Sequence, residues 1–248
     1  KQAVKERLIP YNPCENCRIP PKDKKEMTIL PPEKIGRYLQ EAEKYGVLPM
    51  FYLELSSGLR RGELLALQWE DLNVKERILT VNKQVTRMEG ELDVTEPKTK
   101  NSVRKVALSQ QAVDLLVQEH EQHPDNPILF PSPRTGGYWS PDAVSRIHRK
   151  LLKNASIKEH VRFHDLRHTF ATMAISSGVD VKTLSSMLGH YSAGFTLDTY
   201  THITNDMQRG AAEKIGGFME SVTAANTPEP PDPPEESRCK VIPFRKVG

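Results

Sequence analysis

Residues 77–108 read RILTVNKQVTRMEGELDVTEPKTKNSVRKVAL, and this stretch decides the fold class. Ile78, Leu79, Val81 and Val85 are strand formers, Glu89-Gly90 is a turn pair, and Val94 and Val103–Leu108 continue the extended pattern. Helical spacing prevails on either side. Upstream, Pro31-Pro32-Glu33 opens a helix whose Ile35, Tyr38, Leu39 and Ala42 recur at i, i+3, i+4 and i+7, one apolar stripe. Residues 49–57 and 61–68 read as two further helices broken at Gly58. Downstream, Ser109 caps a helix carrying Ala112, Leu115 and Leu116. Ser140-Pro141 supplies an N-cap and a proline at the first helical position, leading to Val144, Ile147 and Leu151. A helix over 164–177 stops at Gly178, and Asp180 caps another that buries Val181, Leu184 and Leu188 before Gly189. A last helix is expected over about 205–221. The pattern predicts an α+β fold: a mostly helical domain with one small antiparallel β-sheet.

The ends read differently. Residues 1–26 contain Pro10, Pro13, Pro20 and Pro21 without sustained periodicity and read as a linker. Residues 226–248 are rich in proline and acid before a basic finish, a composition that buries too little apolar surface to offset its ordering entropy, and they read as a flexible tail. One domain is expected between them, over 27–225. A length of 248 residues is ample for a buried core. No apolar run approaches the ~20 residues that span a bilayer, so a membrane protein is not expected. The start at Lys1, with no apolar stretch behind it, predicts no secretory signal and reads as a fragment or processed chain. Three cysteines, Cys14, Cys17 and Cys239, point to a reducing, cytoplasmic compartment; Cys14-x-x-Cys17 has the spacing of half a zinc ribbon, but no second C-x-x-C follows, and ordinary free thiols are expected.

The chemistry concentrates in His164-Asp165-Leu166-Arg167-His168. At 100° per residue His164, Arg167 and His168 share one helix face, while Leu166, Phe170, Met173 and Ala174 are expected in the core. Three potentially cationic donors on one face suit an anionic substrate oxygen. Two alternatives stay open on this segment alone. One is an ordinary solvated polar face. The other is a zinc hydrolase, since His164 and His168 at i, i+4 mimic H-E-x-x-H with His190 as a third ligand, although Asp165 is a methylene short of glutamate and Arg167 places a cation beside the metal.

Other segments narrow the choice. Gly58-Leu59-Arg60-Arg61-Gly62-Glu63-Leu64-Leu65 puts an arginine at a helix junction, and Pro97-Lys98-Thr99-Lys100 sits in the β segment. Leu188-Gly189-His190 places a histidine just past a helix end, and Leu197-Asp198-Thr199-Tyr200 follows. In this order and spacing they resemble the tyrosine recombinases, or phage integrase family, over roughly 28–220. The resemblance lies in four boxes: G-L-R-x-x-E-L-x-x-L-x-W-x-D from Gly58 to Asp71, H-x-L-R-H from His164 to His168, L-G-H from Leu188 to His190, and the terminal Tyr200. It is closest in kind to the catalytic domains of prophage and conjugative-transposon integrases.

That resemblance implies site-specific DNA recombination through a 3′-phosphotyrosyl intermediate, with Tyr200 as nucleophile. Arg60 and Arg167 would grip the non-bridging phosphate oxygens, for which a planar, permanently charged guanidinium is suited. His164 would act as acid/base, His190 would donate to a phosphate oxygen, and Lys98 would protonate the departing 5′-oxygen. Glu63, Asp165 and His168 would orient these groups. Arg61 and Lys100 stand beside Arg60 and Lys98, and the motif register selects the first of each pair. The covalent intermediate conserves the backbone's energy, which agrees with the missing G-x-x-x-x-G-K-[ST] loop; no cofactor and no metal are expected.

The net charge of +3 does not identify a DNA binder, but the local distribution of charge fits one. Residues 146–168 hold Arg146, Arg149, Lys150, Lys153, Lys158, Arg162 and Arg167 against Glu159 and Asp165. With Lys98, Lys100, Arg104 and Lys105 they are expected to contact phosphates of double-stranded attachment-site DNA. The family also implies self-association on DNA through the C-terminal helix, excision or host architectural proteins as partners, and a nucleoid location. A type IB topoisomerase is the rival within the same chemistry.

Overall fold

Strand pairing in the computed structural model keeps the antiparallel reading but divides it into two sheets. The structure describes residues 1–15, 17, 28–88, 90–96, 103–189, 194, 196, 209–210 and 212–222. Strands β1 (Leu72–Asn73), β2 (Ile78–Val81) and β5 (Arg104–Ala107) form an antiparallel sheet in the order β1-β2-β5. Leu79 lies opposite both Leu72 and Val106, so Leu79, Val81 and Val106 all face the core. Strands β3 (Gln84–Met88) and β4 (Glu91–Thr95) form a separate hairpin. The single sheet expected from the sequence is therefore corrected. The chain leaves β2 at Asn82-Lys83, where the Lys83 ammonium donates to Asp71 Oδ2 at 3.0 Å and Gln68 Oε1 at 2.5 Å.

The helices follow the apolar spacing closely. They are α1 (Gln2–Lys5), α2 (Pro32–Lys44), α3 (Leu48–Ser57), α4 (Arg61–Ala66), α5 (Gln110–Glu121), α6 (Pro141–Asn154), α7 (Phe163–Ser176) and α8 (Val181–Leu188), with a 3-10 turn at Trp69–Asp71. Ser109 Oγ accepts from Ala112 N, and an Asp180 oxygen accepts from Thr183 N, as capping predicts. Ser140 occupies the N-cap of α6, but its side chain makes no capping bond. The amide of Ala143 instead donates to the Ser140 carbonyl at 2.9 Å, which removes the hydroxyl's usual partner.

Helix α7 crosses the middle of the core, packed on α3 and α8. Leu166 and Phe170 are buried as expected, but Met173 and Ala174 are only half-buried, and Ala171 and Ile175 take the inner positions. Burial on two sides has widened the helix's inner face toward Arg167. Gly58 makes the α3–α4 corner possible. Its φ of +61° is a left-handed conformation, and a Cβ there would meet Phe170 Cδ1 at 2.3 Å. Gly62 lets α4 lie on β3, since its Cβ would stand 2.8 Å from the Val85 carbonyl oxygen.

Among residues 1–26, the described part holds one four-residue helix, α1, with no buried residue. Residues 200–248 form a separate compact unit. Its described residues, 209–210 and 212–222, are helical, in agreement with the expected last helix. The segment 226–248 lies outside the described residues. No helix of the described residues is long and apolar enough to cross a membrane.

Candidate active site

Two helix starts and one helix end build the site. At the start of α4, the Glu63 carboxylate accepts the Arg60 amide at 2.8 Å and Arg60 Nη1 at 2.7 Å. Arg60 Nη2 donates to the Gly189 carbonyl at 3.1 Å, just past α8. Arg167, on α7, donates through Nη1 to the Gly58 carbonyl and through Nη2 to the Leu188 carbonyl, both at 2.7 Å. Arg60 and Arg167 are thus drawn together by the 188–189 turn. Each Nη carries a second N–H, so both guanidiniums keep donors for an anion after these bonds are made.

Arg61 goes elsewhere. Its Nη1 donates to Ser145 Oγ at 2.6 Å on α6. The geometry pairs Arg60, rather than its neighbour, with Arg167.

Glu63 also holds a second guanidinium. Arg104, on β5, donates to both Glu63 oxygens at 3.1 and 2.8 Å and through Nε to the Met187 carbonyl at 2.6 Å. Its side chain is only 6% exposed. The expectation that Arg104 reaches DNA phosphate at the surface is therefore corrected: the residue is buried and committed to Glu63. Burial would raise the Glu63 pKa, but the hydrogen bonds and charge of Arg104, with the hydrogen bonds of Arg60, outweigh it and hold the carboxylate low. Sequence reasoning treated Arg104 as a surface charge; the signal against it was the strand period, which puts 104 on the same inward face as Val106.

The reading of three cationic donors on α7 also changes. Arg167 is 3% exposed, and burial, then the nearby Arg60 charge, lowers its pKa to about 10, which leaves it charged at neutral pH. The histidines are not charged there. Loss of hydration, then the charge of Arg167, lowers the His164 pKa; burial, then His164 itself, lowers that of His168 to about 4. The two rings meet edge-on with centroids 5.1 Å apart. The face therefore offers one guanidinium and two neutral imidazoles. A neutral imidazole accepts a proton, the role a general base requires.

Asp165 starts α7. Its oxygens accept the Arg162 amide at 2.7 Å and the Arg162 guanidinium at 3.0 and 2.8 Å. Arg162, His164, Arg61, Arg149, Lys153 and His160 line a cleft of about 720 Å³ beside α7. Of the other expected phosphate contacts, Arg146, Arg149 and Lys150 are exposed on α6. Arg146 lines a different groove with Arg87 and Arg134, and the Lys150 ammonium lies 4.7 Å from the centre of the Tyr45 ring. Lys98, Lys100, His190 and Tyr200 lie outside the described residues.

Two buried groups escaped sequence reasoning. His148 accepts from the Tyr38 hydroxyl at 2.7 Å through Nδ1 and donates through Nε2 to the Val161 carbonyl at 2.9 Å, so it buttresses the segment that leads into α7. Glu54, on α3, is wholly buried. Nothing in the apolar spacing announces either. Among the described residues, no three His, Cys, Asp or Glu side chains come together to hold a metal ion.

Comparison with known proteins places this arrangement. The chain is 31% identical over 230 residues to the ICEBs1 integrase of Bacillus subtilis (strain 168), a match covering 88% of this chain and 62% of that protein. It is 29% identical over 177 residues to the integrase of Staphylococcus phage L54a, covering 64% of this chain and 48% of the relative. The chain thus spans less than two thirds of the length of these relatives. Its fold matches the Tn1549 transposon integrase solved with a circular intermediate DNA, with a TM-score of 0.72, 22% identity, and coverage of 86% and 74% of the two chains. The XerA recombinase crystal structure matches with a TM-score of 0.61 and 26% identity over 78% of this chain and 67% of that one. A family model described as the phage integrase family matches residues 30–207, and the chain belongs to that family.

Proposed function

We propose that this chain is the strand-transferring part of a site-specific recombinase that integrates or excises a mobile element. One observation carries the reading: Arg60 and Arg167 converge on the 188–189 turn beside a neutral His164. The relatives' integrase names and the DNA-bound Tn1549 integrase support double-stranded DNA as substrate. A scissile phosphate seated between the two guanidiniums has its negative charge offset before and during attack. The Tyr200 oxygen attacks phosphorus in line, its proton passing to His164. The phosphorus–5′-oxygen bond breaks, leaving a 3′-phosphotyrosyl link, while Lys98 gives the departing oxygen its proton and His190 donates to a phosphate oxygen. The reverse attack by a 5′-hydroxyl rejoins the strand. Glu63 acts on Arg60 and Arg104 rather than on DNA.

In the second unit, Ile215, Phe218, Met219 and Val222 recur at i, i+3, i+4 and i+7 on one helix. This stripe supports self-association on DNA, with excision or host proteins as further partners. The location proposed is cytoplasmic, with the nucleoid.

The test is a nicked duplex bearing the element's attachment core, whose cleaved end diffuses away and traps the covalent adduct. An adduct is expected in EDTA with the unaltered chain and none with Tyr200→Phe. Adduct formation by Tyr200→Phe sinks the nucleophile assignment. Relaxation of plasmids lacking any attachment site shifts the reading to a type IB topoisomerase.

A further inference from the structure

The arginine cluster has a second acid beside it that no hydrogen bond explains. Glu54 is 0% exposed on α3, and neither carboxyl oxygen has a hydrogen-bond partner among the described residues. The charged and titratable groups facing it come from four elements: Tyr38 of α2, Glu63 of α4, Arg104 of β5 and Arg167 of α7. Helix α5, which also packs on α3, buries Ala112, Val113 and Leu116. A carboxylate sealed from water with no donor to either oxygen is the costly case; such a group keeps its proton.

We infer that Glu54 is a positioning residue for the phosphate site, a neutral carboxylic acid whose missing charge leaves Arg167 free to act on an anion. Three guanidiniums, Arg60, Arg104 and Arg167, are balanced by the single carboxylate of Glu63. Ionised Glu54 would add a second negative charge behind Arg167 and compete with the substrate phosphate for its field. Burial pushes the Glu54 pKa well up, opposed by Arg167 and assisted by Glu63, which agrees with the geometry. The seal from water and the absence of a donor to either oxygen among the described residues favour the neutral form, and the upward direction of the shift agrees. The Tyr38 phenol, pushed up by burial, stays protonated as well.

This inference rests on the reading of Arg60 and Arg167 as a phosphate site, and the test separates the two. Infrared spectroscopy of the whole chain at neutral pH, where solvated carboxyls are ionised, is expected to show a protonated-carboxyl C=O band that Glu54→Gln lacks. Tungstate, a tetrahedral dianion across the range, probes the phosphate site by calorimetry. The unaltered chain is expected to lose tungstate affinity roughly five- to tenfold, a typical coupling between two sites, as the band titrates away on raising the pH. Glu54→Gln is expected to lack that loss. Absence of the band at neutral pH overturns the inference, even if Glu54→Gln fails to fold. So does a loss of tungstate affinity that accompanies titration of the band yet is parallel in both chains, or a Glu54→Gln chain weakened equally at every pH, which marks a purely structural role. If Arg167→Ala binds tungstate as tightly as the unaltered chain, the site reading fails and the inference with it; if Arg167→Ala loses binding while Glu54→Gln changes nothing, only the inference falls.

Discussion

Helices α4 and α7 begin alike and end up with different work. Each has an arginine at the N-cap and an acid three residues on, and in each the acid accepts both the arginine's amide and its guanidinium. Both acids are buried, Glu63 at 2% and Asp165 at 1% exposure. What differs is the third partner. Glu63 also grips Arg104 from β5, and its Arg60 reaches on to the end of α8. Among the described residues Asp165 shows carboxylate bonds to Arg162 alone, and Arg162 remains 67% exposed. One local sequence device thus serves as the keystone of a site in one place and as a helix start in the other. A guanidinium on a neighbouring strand makes the difference.

Removing each acid's charge should expose that difference. Glu63→Gln leaves two guanidiniums, one of them buried, without their counter-charge, and is expected to lower unfolding free energy by about 3–5 kcal/mol. Asp165→Asn keeps a side-chain oxygen of good capping type and is expected to cost about 1 kcal/mol. Denaturant titration of the two variants checks this, and equal losses would erase the distinction drawn between the helices. Next in size is Arg167→Ala. It is expected to slow adduct formation on the nicked duplex by about 10²–10³, the usual effect of losing a preorganised donor to a developing anion. Arg60→Ala should match it, whereas Arg61→Ala, whose guanidinium bonds to Ser145, should not. A larger loss at Arg61 than at Arg60 would reverse the motif register.

Much of this was legible in the sequence, and what was not has a physical reason. The corner at Gly58, the caps at Ser109 and Asp180 and the grouping of Arg60 with Arg167 follow from local spacing and motif order. Arg104 was misplaced because its charge outweighed its strand position: alternation with Val106 points it inward, where Glu63, far off in sequence, supplies a counter-charge. The division of the sheet falls at Asn82-Lys83, where the strand formers on either side read alike and no strand pattern announces a break. The charge state of α7's face depends on how deeply tertiary packing desolvates two imidazoles, and helical periodicity carries no depth. Glu54 reads as one more polar residue in an apolar helix until its surroundings are known.

Acid should attack the buttress behind α7 before it attacks either arginine helix start. Burial holds His148 at a pKa of about 4, against opposing help from the Val161 carbonyl. Its folded value lies below its unfolded one, so its neutral form contributes stability that is complete above pH ~6.5 and is lost as pH falls through about 4. The shift corresponds to roughly 3 kcal/mol at most. His168, also near 4 but half-buried, contributes in the same window and to a smaller extent. Unfolding free energy measured from pH 7 to 4 should fall along this limb. His148→Gln should make it shallower, and an unchanged slope would mean that His148 is not held neutral.

The smallest effect on stability belongs to Arg162, and there the two helix starts diverge a second time. Arg162→Ala removes a mostly exposed guanidinium but leaves the amide of residue 162 to bond Asp165, so the helix start survives. An exposed pair of this kind contributes about 0.2–1 kcal/mol, and thermal unfolding should register no more. Binding to DNA is another matter. Arg162 lines the cleft beside His164, where a duplex backbone seated at the Arg60–Arg167 pair would pass. Loss of one phosphate contact should weaken binding uniformly across DNA sequences and reduce the slope of log K against log salt by about 1. Glu63→Gln, by contrast, should impair binding mainly through disorder of Arg60, with little change in that slope. If Arg162→Ala leaves the salt slope intact, Arg162 belongs to Asp165 alone, and the cleft does not mark the path of the DNA.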